Sequence, residues 1–159
     1  MASTYEPIAS TTLGSNSNSI SFSSIPGTYT DLRMVASLTL GANDALYITI
    51  NGAGSGYSQT KLYGTGSSAS SWRGTSRSYI NFGDVFAAVA SGQQMFVADF
   101  FSYANTNVYK TLLCAYAHAS SHVVRDVGLY GSTSAITSIT LVGALQTGTT
   151  VSLYGIKAA

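Results

Sequence analysis

Apolar side chains recur at every second position along most of this chain. One run lies between positions 32 and 40, where the apolar set is Leu32, Met34, Ala36, Leu38 and Leu40. A period of two places such residues on one face of a β-strand, because successive side chains of a strand point to opposite sides. The pattern therefore predicts strands that bury one face in a core and leave a face rich in Ser and Thr outside.

Eleven runs carry this pattern, and turn residues such as Pro26-Gly27 and Asn51-Gly52 separate them. Because short runs often merge, shorten or drop out, we expect about nine strands. The runs are Ile8–Leu13, Ser17–Phe22, Leu32–Leu40, Ala45–Asn51, Lys61–Tyr63, Tyr79–Phe82, Gln94–Tyr103, Val108–His118, Val124–Tyr130, Ile136–Val142 and Val151–Ile156.

Residues 85–90 are a candidate for one short helix, with Asp84 as its cap and Gly92 as its stop, or else for another strand. Many short strands without a linker predict an all-β fold, a single antiparallel β-sandwich of the jelly-roll type over residues 1–159. The polar residues 1–19 are a candidate N-terminal arm that orders against a neighbour.

Charge is scarce in this sequence. Charged residues make up 8% of the 159 positions and the net charge is +1, whereas a typical soluble domain carries about 25%. So small a charge argues against a nucleic-acid partner, and no apolar run is long enough for a membrane helix. Since interface cores are also poor in charge, we expect much of this surface to be covered by other molecules.

The sequence predicts no catalytic, cofactor-binding or metal-ligating residue. Six acids are present, and most lie at predicted turns or strand starts. Asp99 interrupts an apolar run, and its side chain is expected either to pair with a partner such as Arg33 or Arg125 or to point to solvent at a sheet face. His118 and His122 are interpreted as loop residues rather than metal ligands, since no third ligand lies nearby. Cys114 is alone and is interpreted as a small buried hydrophobe.

Aromatic and basic residues are concentrated between positions 57 and 79. Two interpretations of this segment stay open: a binding interface for a sugar or a protein, and ordinary cross-strand aromatic pairs. The candidate interface residues are Tyr57, Tyr63, Trp72, Arg73, Arg77 and Tyr79.

The two ends of the chain resemble small virion proteins of tailed bacteriophages. The resemblance lies in Tyr5–Leu13 (YEPIASTTL) and Ile20–Arg33 (ISFSSIPGTYTDLR), and in Ala135–Leu141 (AITSITL) and Ser152–Ala159 (SLYGIKAA). These segments lie within residues 5–33 and 135–159, which together span about fifty residues, and the resemblance carries no catalytic residues. It implies a structural protein of the virion, made in the host cytoplasm.

One compact domain with no shaft favours a capsid decoration (cement) protein over a tail fibre. Its expected partners are further copies of itself, as a homotrimer, and the major capsid protein or another virion protein. The alternative is a tail-fibre or tail-tip module that binds host glycans through the aromatic segment. A third possibility, a polysaccharide-degrading enzyme that uses Asp99, is disfavoured because the acids are few and unpaired.

Overall fold

The computed structural model describes residues 5–41, 46–82, 93–118 and 122–157. They form two antiparallel sheets that pack face to face as a β-sandwich, which confirms the predicted all-β sandwich fold. The strands are β1 (Tyr5–Thr12), β2 (Ser17–Phe22), β3 (Asp31–Thr39), β4 (Tyr47–Ile50), β5 (Tyr57–Gly64), β6 (Ala69–Arg77), β7 (Ile80–Asn81), β8 (Gln93–Phe101), β9 (Lys110–His118), β10 (His122–Tyr130), β11 (Ile139–Leu145) and β12 (Thr150–Ile156).

The two sheets differ in size. The larger has eight strands in the order β1-β12-β3-β8-β9-β10-β5-β6, and the smaller has four in the order β2-β11-β4-β7. Strands β8, β9 and β10 are sequential neighbours, as are β5 and β6, so pairing between sequential strands builds five of the eight strands of the large sheet. This strand order does not confirm a jelly-roll connectivity, which stays a prediction.

The core lies between the sheets and follows the period-two pattern. On β3 the inward side chains include Leu32, Met34 and Leu38, all fully buried. The small sheet supplies fully buried residues such as Ile48 and Leu141 from its own inward face. Since each burial removes apolar surface from water, this alternation is what drives the two sheets together.

Each of the eleven predicted runs overlaps a strand of its own, so the expected reduction to about nine strands is wrong. Some runs are shortened, as at Tyr79–Phe82, where the strand β7 covers Ile80–Asn81. The structure adds β6, which the pattern did not indicate because most of its side chains are exposed. Ala45 and the candidate helix 85–90, with Asp84 and Gly92, lie outside the described residues.

The candidate N-terminal arm overlaps two strands of the sandwich. Strand β1 pairs with β12, and side-chain hydroxyls bond across the pair, Ser10 to Ser152 and Thr12 to Thr150, both at 2.8 Å. Strand β2 joins the small sheet beside β11. A role for residues 1–19 against a neighbour stays a prediction, and deleting them would also remove an edge strand.

Candidate interaction site

The structure brings together three of the six candidate interface residues, Trp72, Arg77 and Tyr79. The Arg77 guanidinium carbon lies 5.3 Å from the centre of the Trp72 ring and 5.7 Å from that of Tyr79. Tyr79 stacks on Tyr47 with ring centres 4.3 Å apart, and Lys61 Nζ lies 5.1 Å from the Trp72 ring centre. We call these five residues the aromatic–cationic cluster.

The other three candidates lie elsewhere. Tyr57 is buried, stacks on Tyr130 and accepts a 2.8 Å hydrogen bond from the Ile50 backbone N–H, so its burial removes it from the predicted interface. Tyr63 packs against the core and is partly buried. Arg73 is exposed and lies directly opposite Thr60, on the outer face of the large sheet.

Strand β6 can present Trp72 because of a neighbouring glycine. A Cβ built on Gly74 would lie 2.3 Å from the Trp72 ring, so the indole lies directly against the Gly74 backbone. A side chain at position 74 would displace the ring. Trp72, Arg77, Tyr79 and Tyr47 are all half-buried, which leaves part of each ring or guanidinium open to a ligand.

Beneath Trp72 lies a buried polar cluster made of Lys61, Asp126, Gln59 and Asn81. Gln59 Nε2 donates to Asp126 Oδ2 at 2.7 Å and to the Asn81 carbonyl at 2.8 Å. Gln59 Oε1 in turn accepts from the Asn81 backbone N–H at 2.8 Å. These bonds tie β5 and β10 to β7 of the other sheet.

Lys61 and Asp126 face each other across β5 and β10, and each is 1% exposed. Burial raises the pKa of Asp126 to about 7, while the positive charge of Lys61 and the Gln59 hydrogen bond act in the opposite direction. Among the described residues, Asp126 Oδ1 has no hydrogen-bond partner. Sequence reasoning missed this pair, since nothing in the alternation showed that these two side chains point inward.

The buried polar cluster is closed to substrates, so its geometry fits a structural role. The two histidines also pack inside. His118 and His122 are paired across the ends of β9 and β10, so their interpretation as loop residues is wrong. Burial, and then the charge of His118, lowers the pKa of His122. Within the described ranges, no group of three or more His, Cys, Asp or Glu side chains is arranged to hold a metal ion.

Asp99 pairs with Arg33, which is one of the alternatives that the sequence left open. The guanidinium binds the carboxylate through two bonds, of 2.5 Å and 2.8 Å, and also donates to the Tyr5 hydroxyl at 2.8 Å. These hydrogen bonds to Asp99 raise the pKa of Arg33. This bidentate pairing occupies both carboxylate oxygens, so it favours a structural role for Asp99 over the enzyme hypothesis.

The outer face of the large sheet carries exposed apolar side chains. They project from β5, β8, β9 and β10, away from the core, and we call this surface the apolar face. Its largest members are Leu62 (62% exposed), Met95 (52%), Phe101 (40%), Leu113 (38%), Val123 (59%), Val127 (52%) and Leu129 (37%).

The usual polarity is reversed on β10. His122 and Asp126 point into the sandwich, whereas Val123, Val127 and Leu129 point out. On strand β5 the reversal is limited to one step, with Lys61 inside and Leu62 outside, since Ser58 and Thr60 also face outward. A sheet face in permanent contact with water normally shows polar residues, and a contiguous apolar patch of this kind marks an interaction surface.

No protein-family model matches the chain, and no curated protein matches it. A search of the described residues finds no helix with the length and apolarity needed to cross a membrane.

Proposed function

We propose that this chain is a non-enzymatic structural protein of a tailed-bacteriophage particle, a decoration protein that stabilises the capsid through contacts of its β-sheet surface. The observation that carries the proposal is the apolar face, which suits a surface covered in the working state. The resemblance of both chain ends to phage virion proteins is the reason for proposing a phage particle as the setting.

The proposed mechanism is mass action. A protein that binds an assembled shell but not its free subunits stabilises the shell by its binding free energy. The surface suits this role because burying uncharged side chains avoids the desolvation cost of charges. Ser and Thr, which alternate with the apolar residues, also lose little side-chain entropy when a contact orders them.

The test is to locate the chain in purified particles of the phage that encodes it. We expect antibody labelling on the capsid shell, and particles stripped of the protein should release DNA at a lower temperature than complete ones. Adding the purified chain back should restore the release temperature. Absence of the chain from the particle would overturn the proposal.

The aromatic–cationic cluster favours a second candidate, a tail-associated module that binds host glycans. Half-buried rings beside a guanidinium offer apolar faces to a sugar and a hydrogen-bond donor to its hydroxyls. Trp72→Ala should then abolish binding on a glycan array. Arg73→Ala, the adjacent residue on the opposite sheet face, is the matched control and should leave binding intact. Labelling of the tail rather than the shell would favour this candidate.

A further inference from the structure

We infer that the apolar face is the surface on which a second copy of this chain docks. The inference deepens the proposed function and rests on it only for the biological setting, since it names the partner of the same surface. Three observations carry it: the reversed polarity of the strands, the size of the face and the placement of its charges.

Reversed polarity is costly for an isolated sandwich. Lys61 and Asp126 occupy inward positions on β5 and β10, while large apolar side chains at Leu62 and Val127 face outward. The inward polar groups need partners, and the outward apolar groups keep 37–62% of their surface in water after the single chain folds. The outward groups contribute once a partner removes them from water, so this arrangement suits strands buried on both faces.

The size of the face fits a stable dimer. Strands β8, β9 and β10 have 9 residues each and β5 has 8. Four strands at about 4.8 Å spacing and about 3.3 Å rise per residue cover roughly 20 Å by 30 Å. The side chains that project from this rectangle make its accessible area larger than its flat area. They bring it near the ~800 Å² that each partner buries in a standard interface.

The charged side chains of the apolar face are placed so that two copies of the face can pair them. Two charged side chains point outward from these four described strands, Asp99 on β8 and Arg125 on β10. Arg125 lies opposite Ala115, which lies opposite Val97, two residues from Asp99. Strand spacing and rise therefore separate the two charges by about 12 Å.

In a symmetric dimer, the two-fold axis can lie in the plane of the interface and pass midway between Arg125 and Asp99. Such an axis places Arg125 of each copy against Asp99 of the other copy. This is the isologous contact of a symmetric dimer, and two sheets that meet this way pack about 10 Å apart. Asp99 keeps its bidentate bond to Arg33, so the incoming Arg125 would complete an Arg–Asp–Arg arrangement. The two-fold arrangement forms this contact twice, which favours a second copy of the chain as the occupant of the face.

The experiment measures the mass of the full chain in solution by sedimentation equilibrium. We expect a mass that is twice the 16.5 kDa of one chain, or an even multiple of it, at about 50 µM. Val127→Asp places a charge on the apolar face and should give the single-chain mass. Val108→Asp makes the same chemical change at an exposed valine outside the four strands, so it is the matched control and should behave as the wild type.

Arg125→Glu gives a second arm, because its exposed side chain leaves folding undisturbed. It should weaken association roughly tenfold or more at low salt, and added salt should reduce the difference from the wild type. A circular-dichroism melt verifies the fold of each variant. Association that is unchanged in both Val127→Asp and Arg125→Glu would overturn the inference.

Particle binding separates this inference from the proposed function. A wild-type chain that stays a single chain yet binds particles overturns the docking inference and leaves the proposed function standing. If Val127→Asp then abolishes particle binding, the apolar face belongs to another virion protein. A dimer that never binds particles supports the docking inference and overturns the proposed function.

Discussion

The buried carboxyl of Asp126 should make the stability of the protein depend on pH in an unusual direction. Its pKa rises from 3.8 to about 7 on folding, mainly because burial penalises the charged form. Between these values the folded state binds more protons at this site than the unfolded state does. The contribution of Asp126 to stability is therefore full below about pH 4 and is lost as the pH rises through 7. The pKa change corresponds to roughly 4 kcal/mol.

Asp126→Asn isolates this contribution. The amide oxygen can still accept the hydrogen bond that Gln59 Nε2 donates, so the packing is retained, but nothing titrates at position 126. Urea unfolding from pH 4 to pH 8 gives the free energy of unfolding of both proteins. The wild-type value minus the variant value should fall by about 4 kcal/mol over that range. Two parallel curves would refute the reasoning.

Lys61→Met tests independently whether the charge of Lys61 acts on the pKa of Asp126. The positive charge of Lys61 lowers the pKa of Asp126 against the effect of burial. Without that charge the pKa rises further, so the loss of stability, which begins near pH 4 in both proteins, should continue to a higher pH and become larger than in the wild type. A loss that ends at the wild-type pH would show that Lys61 does not act on the carboxyl.

Three further predictions concern single buried groups. Lys110→Met should lower the free energy of unfolding by about 3 kcal/mol in a urea titration, because the buried ammonium donates to the backbone carbonyls of Asn105, Val108 and Thr133. Tyr57→Phe should cost about 1–3 kcal/mol in the same assay with an unchanged m-value, since it leaves the buried Ile50 N–H without its acceptor. Burial raises the pKa of the Cys114 thiol, so an alkylating reagent at neutral pH should add mass in denaturant and none to the native protein.

The alternation of apolar residues predicted the class of fold well. It placed strands at eleven positions and assigned the inward face of β3 correctly, because Leu32, Met34 and Leu38 are far more apolar than their neighbours. It missed β6, whose backbone pairs with β5 at the edge of the sheet while its side chains remain largely exposed. Backbone hydrogen bonds hold such a strand, and these leave little trace in the side-chain pattern.

The candidate site was harder to predict, and β10 shows why. Both faces of this strand carry apolar residues, so the sequence indicated a strand without indicating which face is inside. Asp126 and Lys61 lie opposite each other in the register of β5 and β10, so they share one face of the sheet, and in the fold that face is the inner one. Register depends on long-range pairing, which local periodicity does not contain. Tyr57 was misplaced for the same reason, since its hydroxyl finds a backbone partner only in the fold.

The structure makes the surface poorer in charge than the composition suggests. Of the charged side chains in the described residues, Lys61, Lys110 and Asp126 are buried, and Arg33 neutralises Asp99. Placing a charge inside costs desolvation that only good partners offset, whereas placing it outside costs almost nothing. A chain with so few charges that still buries three of them leaves its broadest sheet face to valine, leucine and methionine. Selection for solubility of the single chain would favour the opposite distribution, so the arrangement is best explained by contacts made outside the single chain.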